Sequence, residues 1–568
     1  MFCTVKKQLL LCLVICAAHG ATGETVYRRA LERVASLDPA QSTSVYSSRL
    51  VQLAYETLYD YDYRQRPYRL IPALAAGMPV YSADRKTLTI TLNPEARFHD
   101  HPCFPGGKGR PVTAADVVYS LKRLGDSRVA SSGSWLVLDT IAGMREYAAA
   151  TAGKKISKPV LLGLAAIGKH QVQITLQRPF YQFAWYLAMS YTAIVPREAV
   201  EYYGEDFGRH TVGSGPYRLE SWRRNHQFRF RRAADWHGWR KGPAAAVAPG
   251  TRIFDVLEFN EISDVSTQWL CFLNGELDFL GDISRDNWDV VIDNSGGLSD
   301  DLKRRGINLY SAPTLEVAYI GINMDDPVLG KNKALRQALN CAFDFESWSR
   351  FYNGRVECCR TPVPPMAGGN PGEKFAYSFN LDKARALMAE AGYPGGIDPA
   401  TGRRLELTLD IGRVTQDVRE TTELLASFYN RIGIALRAQY HNWPAFLERV
   451  AERRSQMFRI GWVGDYPDAE NFLQLFYSKN ASPGPNRSNY SNPKFDAVYE
   501  AACAETDDGK RAELWLEAQR IVREDCPWIF LHFPKAFSLT GRNLIGYTPS
   551  DFPYGTERYL RKGDAGER

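Results

Sequence analysis

The feature that most constrains this chain is a run in its second half where two hydrophobic periods alternate. Residues 381–390 carry apolar side chains at helical spacing and end at Gly392, with Pro394 just beyond. Residues 405–411 (LELTLDI) then alternate with period two, as a strand with one buried face does. A helical pattern over 417–431, halted at Gly433, leads to a second strand at 434–440. Another at 444–453, with Pro444 in its first turn, leads to a third strand at 457–462 (MFRIGW). Strand–helix–strand–helix–strand predicts right-handed crossovers, a mainly parallel sheet and an α/β fold. In open sheets of this kind ligands gather outside the carboxyl ends of the strands. The third strand runs there into Gly461-Trp462-Val463-Gly464-Asp465-Tyr466-Pro467, which places glycines, aromatics and one carboxylate on a rigid support.

The first half is less regular. Residues 87–92 (TLTITL) alternate as a strand. Thr113 opens a helix with Asp116 three residues on, close to a capping box, and Val117, Val118, Leu121 and Leu124 give that helix an apolar face. At 568 residues the chain exceeds what one core organises, so at least two domains are expected. A net charge of +6, spread among acids without a basic run, argues against nucleic acid as a partner. An aromatic share of 12% suits large cores, or a wet cleft that holds organic ligands.

Residues 1–23 read as a secretory signal. Lys6 and Lys7 precede an apolar stretch too short to span a bilayer, and Ala18-His19-Gly20 or Ala21-Thr22-Gly23 offers a cleavage site. Cys16 offers a lipid-anchored alternative, although Ile15 stands where a lipobox wants a small residue. The mature chain is therefore expected to be exported. It keeps Cys103, Cys271, Cys341, Cys358, Cys359, Cys503 and Cys526, an odd set in an oxidising compartment, so partial disulfide pairing is expected with at least one thiol left over.

Five stretches in order resemble one known family, the oligopeptide- and dipeptide-binding proteins of ABC importers. Residues 55–60 (YETLYD) resemble its first helix after the opening strand, and residues 98–100 (FHD) with 112–120 (VTAADVVYS) its best-known signature. Residues 212–219 (VGSGPYRL) resemble the segment leading into a hairpin, residues 335–339 (LRQAL) with Phe343-Asp344 a helix opening the second lobe, and Gly461-Trp462 with Asp465-Tyr466-Pro467 the ligand-contacting strand. The resemblance implies two α/β lobes joined by crossing segments, with an extra subdomain on the first lobe. Carried onto this chain, the first lobe takes residues 24–62, 192–312 and 529–568, the subdomain 63–191, and the second lobe 313–528.

It also implies a site. Asp465 takes the place of the aspartate that pairs with a peptide's α-ammonium; an N-blocked peptide would leave that carboxylate unpaired, at roughly 3–5 kcal/mol. The alternative is an Asp that only shapes the turn before Tyr466-Pro467. Arg459 matches an arginine that reaches the ligand's C-terminal carboxylate, although an odd spacing from Trp462 puts the two on opposite strand faces. Trp443 matches a tryptophan that walls a side-chain pocket, or is a core residue at a helix start. Gly461 and Trp462 offer backbone groups to a peptide in strand-like pairing, and Val45 belongs to an extended segment on the ligand's other edge. Where long-peptide binders carry further cations or a histidine, this chain has Val450 and Asp417, which leaves ligand length open.

The implied function is non-catalytic capture of short peptides by hinge closure, for delivery to an ABC permease, by a monomer without a cofactor. The same scaffold serves metal chelates, haem or sugars in relatives, and a signalling or chaperone-like receptor is a further alternative. No G-x-S-x-G or H-E-x-x-H motif supports a hydrolase. His99, Asp100, His101 and Cys103 have donor types that suit a metal but match no standard spacing, so a structural or disulfide-bonded loop is expected there.

Overall fold

The computed structural model describes residues 23–563 apart from 43, 154–160, 242, 246–248, 285–286, 294–295, 368–374 and 550–553. The expected signal segment up to residue 22, with Cys16, lies outside the described residues. No helix among the described residues is long and apolar enough to cross a membrane.

Twelve strands form one sheet. In chain order they are β1 (Val26–Leu31), β2 (Tyr217–Arg223), β3 (Gln227–Arg232), β4 (Val256–Glu261), β5 (Phe279–Leu280), β6 (Asn308–Pro313), β7 (Glu316–Ile322), β8 (Val356–Cys358), β9 (Glu406–Ile411), β10 (Ala435–Tyr440), β11 (Met457–Val463) and β12 (Trp528–Thr540). The spatial order is β10-β9-β11-β7-β12-β5-β1-β4-β3-β2, with β6 and β8 also paired to β12.

The periodic run folds much as its pattern predicts. Leu381–Glu390 is a helix, and β9, β10 and β11 are joined by the helices Gln416–Asn430 and Trp443–Ala451, with β9 parallel to both neighbours. The sheet as a whole is mixed rather than mainly parallel, which corrects the expectation. β11 runs antiparallel to β7, and β7 antiparallel to β12, so the crossover unit is joined to strands that no local pattern reveals.

β12 joins two halves of the sheet. Its residues 528–534 pair with β7 and β8, and residues 535–540 with β6 and β5. The strand opposite breaks at the same level, since β6 ends at Pro313, β7 begins at Glu316, and Thr314 donates its N–H and hydroxyl to the Pro534 carbonyl at 3.0 and 3.2 Å. Ile320, Leu409, Leu425 and Ile529 share a core on one side of this crossing, and Leu280, Leu302 and Leu539 another on the other side. The molecule is an α/β protein of two lobes.

A smaller four-stranded sheet, built from Val80–Tyr81, Thr87–Thr91, Leu164–Ala166 and Gln171–Thr175, packs with the helix Ala114–Gly125. That helix has the expected capping box, with Asp116 accepting from the Thr113 N–H at 2.9 Å, and it buries Val117, Leu121 and Leu124. Residues 55–60 differ from expectation. The helix ends at Ala54 and Tyr59–Tyr61 is a strand; every residue from Tyr55 to Tyr61 is buried, which a helix with a single apolar face does not allow.

The glycines before the β2–β3 hairpin are explained by close approach. A Cβ on Gly213 would lie 2.0 Å from the Ala54 carbonyl oxygen, and one on Gly215 2.5 Å from that of Leu53. The Gly213→Ala variant is therefore expected to lose at least about 1–3 kcal/mol, the range for overpacking, and to melt at clearly lower temperature. Unchanged thermal unfolding would show that this loop moves at no cost.

All seven cysteines from Cys103 onward are free thiols, contrary to the expected pairing, and Cys341, Cys359, Cys503 and Cys526 are buried as small apolar side chains. The His99–Cys103 loop is held by hydrogen bonds instead. His99 Nε2 donates to the Gly215 carbonyl at 2.8 Å, and His101 Nδ1 accepts from the Cys103 N–H at 3.1 Å while its Nε2 contacts the Tyr203 hydroxyl.

Candidate functional site

β11 carries the site because its two edges end differently. On one side it pairs with β7 along its whole length, Glu316 opposite Val463 through Ile322 opposite Met457. On the other side pairing with β9 stops at Arg459, opposite Ile411. Residues 460–463 thus present a strand edge with no strand beside it among the described residues, and Gly461 and Val463 are exposed there. An extended chain can pair with such an edge through its own backbone, without regard to its side chains.

Just past this edge stands Asp465, partly buried. Its backbone N–H donates to Asn471 Oδ1 at 3.0 Å, and Asn471 Nδ2 lies 3.4 Å from its carboxylate. Burial pushes the carboxyl up to about 6, only partly offset by the Asn471 hydrogen bond, and among the described residues no cation opposes the rise. Asp465 faces a cavity of about 170 Å³ whose opposite wall is built from Ser44, Val45, Ser48 and Gln52, with Tyr61, Tyr191 and Tyr554.

That opposite wall is the first turn of the helix Val45–Ala54, capped by Ser44 and Ser47 in a reciprocal box. Val45 therefore opens a helix and is not part of an extended segment, a correction to the expectation. Serines at 44, 47 and 48 favour this cap over a strand. The exposed first turn leaves the N–H groups of Val45 and Tyr46 without an acceptor among the described residues, so this wall offers donors where the other offers a carboxylate.

The remaining expected residues are spread around the strand. Trp462 lies on the face shared with Phe458 and Ile460, and its indole N–H donates to Asn471 Oδ1 at 3.0 Å. Asn471, fully buried, thus ties Trp462 and Asp465 to one side chain. Arg459 lies on the opposite face, as the odd spacing predicts, with its guanidinium donating to Thr421 at 2.8 Å and Tyr352 at 3.0 Å and standing over Trp348. No carboxylate pairs with it among the described residues. Trp443, 48% exposed, stacks on Phe446 beside Gly412, at the carboxyl end of β9.

Tyr466 does not line the cavity. It is fully buried, its hydroxyl donates to Glu470, and its ring packs edge-on against Tyr186 at 5.2 Å. Sequence reasoning missed Asn471, Gln52, Tyr61, Tyr191 and Tyr554. None stands in a recognisable motif, Tyr61 ends a short strand that no period in the sequence marks, and Tyr554 reaches the cavity from near the far end of the chain.

Two lobes joined by paired crossing strands, with an unpaired strand edge and a carboxylate facing a cavity just past it, define a solute-binding fold. Comparison with known proteins agrees. The model of the bacterial extracellular solute-binding proteins, family 5, matches residues 69–484, and the chain belongs to that family, whose members serve ABC importers. The chain is 25% identical over 496 residues to the dipeptide-binding protein of Escherichia coli K12, covering 84% of this chain and 83% of the relative. It is 26% identical over 519 residues to the glutathione-binding protein GsiB of Salmonella typhi, covering 90% and 89%. Among solved structures, HbpA2 from Haemophilus parasuis superposes with a TM-score of 0.78 at 25% identity, over 94% of this chain and 99% of that one.

Proposed function

We propose that this protein captures short peptides with a free N-terminus in the cleft between its lobes and hands them to an ABC permease. The observation that carries the reading is Asp465, a partly buried carboxylate without a cation, standing where the unpaired edge of β11 ends. A peptide lying along that edge would bring its α-ammonium to Asp465, and the ion pair would remove the cost of the buried charge. The N–H groups at Val45 and Tyr46 would receive a peptide carbonyl from the other side. Contacts from both lobes favour the closed form, and closure turns about the break at residues 314–315 and the stretch of β12 that faces it, residues 534–535. The first lobe then comprises residues 24–62, 192–313 and the chain from 535 on, with 63–191 as its subdomain. Two relatives named for a dipeptide and for glutathione support a short-peptide ligand. We place the protein in the periplasm, as a monomer that catalyses nothing.

The test is calorimetry on protein freed of ligand by partial unfolding and refolding. Di- and tripeptides such as Ala-Ala and Ala-Ala-Ala are expected to bind one to one, and their N-acetylated forms far more weakly. If no peptide with a free amine binds, the cargo assignment fails; mass spectrometry of the material that co-purifies then names the class.

A further inference from the structure

The cleft contains a second, larger cavity just beyond Asp465. It measures about 740 Å³ and is lined from one side by Tyr68, Tyr81 and Trp185 and from the other by Pro467 and Trp515. Position along the loop orders the parts. The open strand edge comes before Asp465, and Pro467 to Ala469 on the wall of the large cavity come after it. The large cavity therefore begins where a peptide held at Asp465 has run out of chain. One layer of rings separates the two spaces. Tyr61, on the Asp465 side, stacks on Trp185, on the far side, with centroids 5.8 Å apart and planes 19° from parallel. The Tyr61 hydroxyl donates to the Trp185 carbonyl at 3.3 Å, and both residues are buried.

We propose that the stacked Tyr61–Trp185 pair sets the size limit at the ligand's N-terminus, while Asp465 reads its charge. This rests on the peptide reading above. The two demands are separable because an amine can be enlarged without losing its charge. An N-acetyl group removes the cation, whereas an N-benzyl group leaves a secondary ammonium and adds a ring that must go where Tyr61 and Trp185 stand. The space behind them is aromatic-walled and ample for that ring once the pair is trimmed.

The experiment compares Ala-Ala, N-acetyl-Ala-Ala and N-benzyl-Ala-Ala by calorimetry on three proteins: the native chain, the double variant Tyr61→Ala with Trp185→Ala, and the double variant Tyr61→Leu with Trp185→Leu. The leucine pair keeps apolar contact in case the alanine pair does not fold, and melting curves identify which proteins are native. The native chain is expected to bind N-benzyl-Ala-Ala roughly 100-fold more weakly than Ala-Ala, as an overpacked site does. A folded double variant is expected to bring the two within about tenfold, with N-acetyl-Ala-Ala weak throughout. The proposal is overturned if the native chain accepts the benzyl group unhindered, or if a folded variant still rejects it. Loss of all binding to free-amine peptides by the native chain would instead remove the peptide reading, and this inference with it.

Discussion

Replacing Asp465 by Asn is expected to weaken binding of a free-amine peptide roughly a hundredfold and, at the same time, to stabilise the empty protein. The first effect follows from the ion pair. Removing one partner of a buried pair costs about 3–5 kcal/mol, and the partial exposure of Asp465 puts this case at the lower end, near two orders of magnitude in Kd. The second effect follows from the carboxyl's displacement from 3.8 to about 6 in the folded chain, caused by burial. A carboxyl raised on folding holds its proton more tightly in the native state, so the fold is favoured below pH 3.8 and loses that support as pH rises through 6. At pH 7.5 the native protein carries the full penalty, up to about 2–3 kcal/mol at 1.36 kcal/mol per unit, and Asn removes it. Calorimetry and thermal unfolding at pH 7.5 read both effects. Unchanged affinity would take Asp465 out of the site, and a lower melting temperature would make it a structural residue. A residue that costs stability when empty and supplies affinity when filled is the signature of a binding group.

What could be read in advance divides along physical lines. The helices and strands between Leu381 and Val463 were legible because their signals are local: apolar spacing, Pro444 in the first turn of one helix, and Gly392 and Gly433 past the ends of the other two. The capping box at Thr113 was legible for the same reason. The pairing of β12 with four strands from both lobes was not, since a long strand rich in Ile, Phe and Leu reads the same whichever neighbours it finds. At the site, the odd spacing of Arg459 and Trp462 correctly separated their faces, because period two is a backbone property. The fate of Tyr466 was hidden because it depends on Glu470 and Tyr186 meeting it in the core, and on no signal of its own. Tyr554 enters through the buried ion pairs Arg49–Glu557 at 2.8 Å and Asp60–Arg558, which fasten the chain's end beside the helix at Val45. Contacts spanning some five hundred residues leave no local trace.

Affinity for a free-amine peptide is expected to fall about tenfold for each pH unit below 6, down to pH 4. The ligand's ammonium stays charged across this window and its own carboxyl stays largely ionised, so the group that changes is on the protein. In the empty site Asp465 takes up a proton below about 6, and the peptide must displace it to form the pair. Burial raises two other carboxyls nearby, Asp468 and Glu470, and Asp468 lines the larger cavity rather than that of Asp465. Glu470, fully buried, is pushed up to about 7 by burial and is faced by Tyr466 and Tyr499, whose hydroxyls both donate to it, with Asp468 and Arg178 acting at longer range. Its two oxygens are thus covered by Tyr466 and Tyr499, and Glu470 does not line the Asp465 cavity. Protonating it changes the packing behind Tyr466 but not the contact with the amine. The two origins separate by mutation. Glu470→Gln is expected to keep the acid limb of the pH profile, and Asp465→Asn to flatten it at uniformly weak affinity. The reverse outcome would move the proton-sensitive step from the cleft to the core behind it, and Asp465 would then no longer be the group that meets the ligand's charge.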